Sequence, residues 1–104
     1  MISKEELIEI IKEKESNNHK FFEKIYISNT WYSPNQVKDN CGNYIFKTKG
    51  KEKGWFVYIF RTEISGWACC CDYWIVYDKD NIIEEIDYDL RPMDINLEEI
   101  NYRK

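Results

Sequence analysis

The chain contains few side chains of the types that bind metals or act as nucleophiles. It has one histidine, His19, and four cysteines, three of which are consecutive at Cys69, Cys70 and Cys71. Structural zinc sites usually space their thiols as C-x₂₋₄-C on turns, whereas neighbouring residues of a strand point to opposite faces. We therefore expect free, mostly buried thiols in a reducing compartment, with neither a metal nor another cofactor.

Carboxylates and large aromatic rings are concentrated in the last third of the chain. Residues 67–104 carry ten acidic and four basic side chains, whereas residues 25–66 carry three acidic and six basic ones. Carboxylates attract a basic protein, and tyrosine or tryptophan rings anchor the contact. We take the rings and carboxylates of this region as candidate partner-binding residues: Tyr73, Trp74, Tyr77, Asp78, Asp80, Glu84, Glu85, Asp87, Tyr88 and Asp89.

The sequence carries no recognisable catalytic motif. General acid–base catalysis requires carboxylates in different environments of one cleft, and nothing distinguishes the acidic pairs here from a solvated surface. Gly50 and Gly54 match neither the P-loop nor the dinucleotide-binding pattern. We therefore expect a protein that is not an enzyme. An enzyme of this sequence would need a site of Asp, Glu, Tyr, Cys and one His without familiar spacing.

The N-terminal quarter is predicted to be helical over residues 3–26. Ser3 and Glu6 form a capping-box pattern ahead of an apolar group that begins at Leu7. The apolar face is lost through residues 14–18 and returns at Phe21, so one helix and a helix pair both remain open. Residues 25–27 would alternatively suit a strand, because they are β-branched and aromatic.

Residues 28–43 are predicted to be a loop, and residues 44–87 an antiparallel meander. The loop is rich in turn-forming residues and is either functional or contains a short strand around Trp31. Four apolar runs separated by short polar turns predict strands at 44–48, 55–62, 67–77 and 82–87. Residues 88–104 form a tail, in which residues 96–100 predict a short helical turn.

The predicted fold is α+β, with an N-terminal helix or helix pair packed on a four-stranded antiparallel sheet. Both faces of the second predicted strand are apolar, with Trp55, Val57 and Ile59 opposing Phe56, Tyr58 and Phe60. Because one helix covers one face, we expect the other face to be an exposed aromatic surface, unless the C-terminal tail covers it. We expect the 104 residues to form one domain.

We expect a cytoplasmic location, because no signal-peptide pattern and no run of 18 apolar residues occurs in the sequence. The chain, with a formal net charge of −4 and 16% aromatic residues, resembles in overall style the small immunity proteins of bacterial contact-dependent growth inhibition systems. This resemblance implies a protein that binds a cognate toxin domain in a one-to-one complex. The toxin is often a nuclease, whose substrate-binding surface is basic.

Three functions follow as expectations. The first is an immunity protein whose acidic, aromatic C-terminal half covers a basic toxin domain, without direct contact to nucleic acid or membrane. The second is a phage or mobile-element inhibitor that uses the same acidity against a host nucleic-acid enzyme. The third is a small-molecule or metal-binding module that uses the aromatic face and the consecutive cysteines.

Overall fold

The computed structural model describes residues 2–47, 52–64, 68–77, 83–93 and 96–102. Its elements are one helix, five strands and a short 3₁₀ turn: α1 Lys4–Ser16, β1 Lys24–Tyr32, the turn Pro34–Gln36, β2 Gly54–Glu63, β3 Ala68–Val76, β4 Ile83–Leu90 and β5 Leu97–Ile100. The strands form one sheet in the order β4-β3-β2-β1-β5, and each neighbouring pair is antiparallel. The predicted α+β class with an antiparallel sheet is confirmed, whereas the predicted number of four strands is wrong.

Helix α1 begins as the sequence predicts but is shorter. The Ser3 side chain accepts a hydrogen bond from the Glu6 backbone, and the Glu6 side chain accepts one from the Ser3 backbone. The helix buries Leu7, Ile11 and Glu15, and it ends at Ser16. Helix through residue 26 is therefore wrong. The polar run after residue 14 removes the apolar stripe that would hold a longer helix on the sheet.

Strand β1 occupies the place that the prediction assigned to residues 44–48. It pairs with β2 along one edge and with β5 along the other. The segment 25–27 and the residues around Trp31, each offered as a short strand, both lie in the single strand β1. Tyr44 makes only an isolated bridge with Lys38, and Thr48 lies outside the described residues. The predicted C-terminal helical turn is wrong, because residues 97–100 pair with β1 instead of packing as a helix.

Each face of the sheet has its own core. On the first face, α1 packs against a cluster that includes Ile27, Val57 and Trp74; we call this the helix side. On the opposite face, the segment 33–46 packs through Val37, Ile45 and Phe46; we call this the loop side. The expected exposed aromatic face is therefore largely wrong, and the cover is the loop, not the C-terminal tail.

Two contacts fix the covering loop. Gly42 closes its tight turn with a φ of +84°, a left-handed conformation that glycine adopts without steric cost. The backbone of Lys38 accepts a hydrogen bond from Met93, and the backbone of Asn40 donates one to Arg91. The loop is thereby held to the residues that follow β4. Among the described residues, no helix has the length and apolar character needed to cross a membrane.

Candidate functional site

The structure separates the ten candidate residues into buried rings and surface carboxylates. Tyr73, Trp74 and Tyr77 are 0%, 1% and 7% exposed. Tyr73 lies in the loop-side core and Trp74 in the helix-side core. These rings stabilise the domain and offer a partner almost no surface. Asp78 and Asp80 lie outside the described residues.

The other five candidate residues all lie on β4, at one end of the sheet. The pairing register and side-chain alternation place Glu85, Asp87 and Asp89 on the helix side. Glu84 and Tyr88 point to the loop side. The side chain of Asp87 is 82% exposed and that of Glu85 is 44% exposed. We call this strand, with its four carboxylates and no basic residue, the acidic edge.

A buried charge network supports the acidic edge from the helix side. Arg61 donates from its Nε to Asp72 at 2.9 Å and from its Nη2 to Glu15 at 3.2 Å. All three side chains are almost completely buried. The network joins the end of α1 to β2 and β3, so it fixes the helix relative to the strands beside the edge. The sequence signal was a charged residue in each of two otherwise apolar strands.

Asp72 connects this network to the edge through a carboxyl pair. Asp72 and Asp87 are register partners across β3 and β4. Burial, together with the hydrogen bond to Asp87, raises the pKa of Asp72, whereas the hydrogen bond from Asp72 lowers the pKa of Asp87. Within this pair, the hydrogen bond therefore favours the proton on Asp72 and the negative charge on Asp87.

Two lysines of the N-terminal segment contact the same carboxylates. Lys20 lies 3.4 Å from Asp87 and 3.7 Å from Asp72. Lys14 forms an ion pair with Glu85, and its Nζ lies 5.5 Å from the centre of the Trp74 ring. These lysines are themselves half exposed, so they neutralise the edge only in part. Lysine or arginine side chains of a partner would therefore meet Glu85 and Asp87 carboxylates that these lysine contacts already hold.

On the loop side, Tyr88 ties the acidic edge to the covering loop. Its hydroxyl donates to Asp39, which is fully buried. Asp39 also accepts from the backbone N–H groups of Cys41 and Asn43, both at 2.9 Å. Burial opposes ionisation of Asp39, but the hydrogen bonds from Tyr88 and the backbone prevail and lower its pKa. The same bond raises the pKa of Tyr88 to about 12.

Among the described residues, two grooves open on the loop side. The first, with a volume of about 570 Å³, runs between residues 45–47 and the residues 84–88 of the acidic edge. The second, of about 480 Å³, has a floor that includes Tyr26, Tyr58 and Phe60. The Arg91 guanidinium lies 5.3 Å from the centre of the Phe60 ring. This second groove is the part of the expected aromatic surface that the loop leaves open.

The cysteines and the histidine do not converge on a site. Cys69 and Cys71 are buried in the loop-side core, whereas Cys41 and Cys70 are exposed. Burial raises the pKa of Cys71, which disfavours the reactive thiolate at neutral pH. His19 is exposed. Within the described ranges, no group of three or more histidine, cysteine or acidic side chains has the geometry of a metal site.

Comparisons with protein-family models, curated proteins and solved structures found no match to this chain.

Proposed function

We propose that this chain is a non-enzymatic immunity or inhibitor protein, which binds and neutralises a cognate bacterial toxin domain through its acidic edge. The observation that carries the proposal is the combination found on β4. Glu85, Asp87 and Asp89 are exposed on one strand at the end of the sheet, and a buried charge network contacts Asp87 through Asp72.

The composition of the acidic edge favours a basic partner. Proteins commonly protect a sheet edge with charged side chains, and lysine is the usual choice. Here all four charges on β4 are negative, namely those of Glu84, Glu85, Asp87 and Asp89. A row of like charges accelerates the approach of an oppositely charged surface and repels nucleic acid and other acidic proteins.

The contacts beneath the acidic edge favour tight binding over weak, nonspecific binding. Asp87 is held by Asp72, and Asp72 is held by Arg61. A partner therefore meets an Asp87 carboxylate that is held from one side, so less of its conformational entropy is lost on association. Tyr88 adds a half-buried ring whose hydroxyl is fixed by Asp39. It is the one candidate ring on β4 that a partner can reach.

A nuclease domain is the class of toxin that best matches this surface. An enzyme that binds DNA or RNA carries lysine and arginine where the phosphates lie. A protein with an acidic edge that covers such a surface blocks access of the substrate without any chemistry of its own. This mode of inhibition requires no catalytic residue in the inhibitor.

The test compares two variants whose net charge changes equally. Three glutamate or aspartate residues become lysine in each, which moves the formal net charge by +6 from −4 to +2. The edge variant carries the substitutions Glu85→Lys, Asp87→Lys and Asp89→Lys. The far-side variant carries Glu5→Lys, Glu9→Lys and Glu99→Lys, which are exposed and lie on α1 and on β5 at the opposite end of the sheet.

Wild-type protein and both variants would be used to capture partners from the native cell, followed by mass identification. We expect wild type and the far-side variant to retain the same protein at equal stoichiometry, and the edge variant to lose it. Expression of the captured protein alone should stop growth, and co-expression with wild type should restore it. Equal capture by both variants would overturn the proposed surface. A captured host nucleic-acid enzyme that is harmless when expressed would favour the phage-type inhibitor instead.

The aromatic groove supports a second candidate, a small-molecule-binding module. The stacked rings of Tyr26 and Tyr58 have centroids 5.7 Å apart, and Arg91 lies at the rim of the groove. Lys24 and Glu23 also line the groove, and an aromatic floor with two nearby cations suits a flat anionic ligand. Native mass spectrometry of the purified protein would detect a retained ligand. A mass equal to the chain alone would leave this candidate without support.

A further inference from the structure

We propose that the partner docks by adding an extended strand to β4, with basic side chains on the helix side and apolar side chains on the loop side. This inference rests on the proposed function and specifies the chemistry of the partner segment. It follows from three features of β4: its position, the spacing of its carboxylates, and the groove on its opposite face.

The position of β4 leaves one side of its backbone open. The strand has eight residues and pairs with β3, and it stands last in the strand order. In the part of the chain that the structure describes, no segment pairs with the outer side of residues 83–90. Every second N–H and C=O group of such a strand points outward, where an incoming strand can pair with it.

The spacing of the carboxylates specifies the residues that face them. Glu85, Asp87 and Asp89 are two residues apart and point to the same side of the sheet. A paired strand has the same two-residue repeat, so lysine or arginine at alternate positions would face these carboxylates in turn. A helix presents side chains every three or four residues and cannot match this row.

The groove on the loop side specifies the other half of the pattern. Residues 45–47 and residues 84–88 line a space of about 570 Å³. Its lining includes the apolar side chains of Ile45, Phe46 and Ile86, together with Tyr88 and with Lys47 and Glu84. The alternate side chains of an added strand would enter this groove. Valine, isoleucine or leucine at those positions would bury apolar surface there.

A second copy of this chain does not fit the edge. Pairing β4 with another β4 would bring the carboxylates of one strand against those of the other, and like charges directly opposite are destabilising. The edge therefore rejects its own copy while it accepts a basic strand. This difference in charge is what commits the proposal to a partner with alternating basic and apolar side chains.

The probe for this proposal is a synthetic eight-residue peptide with alternating lysine and valine and blocked termini. A first control has the same composition with the four lysines contiguous. Two further peptides carry backbone N-methyl groups, one at every lysine and one at every valine. All N–H groups of one residue type point to the same edge of an extended strand, so each methylation blocks pairing along one edge only.

We expect the alternating peptide to bind and to slow hydrogen exchange at alternate amides of β4. One of the two methylated peptides should bind at least about tenfold more weakly than the other, because its pairing edge is blocked. The peptide with contiguous lysines should also bind more weakly and should not protect the alternate amides. The edge variant should not bind the alternating peptide.

Two results would overturn strand addition. Equal binding of both methylated peptides, at the affinity of the parent, would mean that charge alone attracts the peptide. The acidic edge would then still be the binding surface, but the partner would bind it without adding a strand to β4. Absence of protection at β4 with about 1 mM of the alternating peptide would also overturn the proposal. Unchanged binding by the edge variant would instead contradict the acidic edge as the binding surface, and with it the proposed function.

Discussion

Replacing Arg61 with methionine tests the charge network that supports the acidic edge. Arg61 is 6% exposed and holds two carboxylates, Glu15 at 0% and Asp72 at 5%. Methionine fills a similar volume without the charge, so Glu15 loses its cation in a site that water does not reach. Breaking a buried ion pair by removing one partner costs about 3–5 kcal/mol, because the remaining charge is uncompensated.

That loss is large compared with the whole stability of a small domain, which is about 5–15 kcal/mol. For a domain of this size, each kcal/mol shifts the melting temperature by about 4–8 °C, so Arg61→Met should lower it by at least about 12 °C. Urea denaturation and calorimetry would measure both quantities. The control is the double variant Glu15→Met with Arg61→Met, which removes the stranded charge.

We expect the double variant to be more stable than Arg61→Met alone, because an apolar pair replaces a buried ion pair at little cost. A loss below about 1 kcal/mol for the single variant would place the network in the range of surface ion pairs and refute the reasoning. So would a double variant that is destabilised by the sum of the two single changes.

Three further predictions concern the supports of β4 and β2. Gly54→Ala should destabilise the protein by about 1–3 kcal/mol in urea denaturation, because an added Cβ would lie 2.5 Å from the Val76 carbonyl oxygen; an unchanged midpoint would contradict this contact. Tyr88→Phe should remove about 1.5–3 kcal/mol at pH 7, and the loss should shrink on acidification. The contacts that lower the pKa of Asp39 stabilise the folded protein fully above the ordinary pKa of aspartate. This stabilisation is lost as the pH falls through the lowered pKa of Asp39. Asp72→Asn should gain stability relative to wild type as the pH rises from the ordinary aspartate pKa through the raised pKa of Asp72, since wild type loses stability over that rise. A difference in stability that does not change with pH would contradict the raised pKa.

Local patterns in the sequence predicted the elements with a strong signal. The capping box located the start of α1, and the long apolar runs located β2 and β3 within a few residues. The short strand β5 carried no such signal. Residues 97–100 have the composition of a helical turn, and they become a strand because the free edge of β1 pairs with them. Tertiary pairing of this kind overrides weak local propensity.

The candidate site was predictable only in part, for a related reason. The run of carboxylates on β4 was visible in the sequence, and Glu84, Glu85 and Asp87 fell within a predicted strand. The burial of Tyr73 and Trp74 was not visible, because it depends on α1 and on a loop about 30 residues earlier in the chain. Arg61 was missed as a functional support, since its two partners come from distant segments.

The most direct test of the account is the rate of association with the captured partner, measured by stopped-flow at about 50 mM and 200 mM salt. For wild type and the far-side variant, we predict fast association that slows markedly as salt is added. The edge variant has the same change in net charge as the far-side variant, but the change lies on β4. For the edge variant we predict slow association with little dependence on salt. If the edge variant associated as fast as the far-side variant at low salt, the claim that β4 attracts a basic partner would be contradicted.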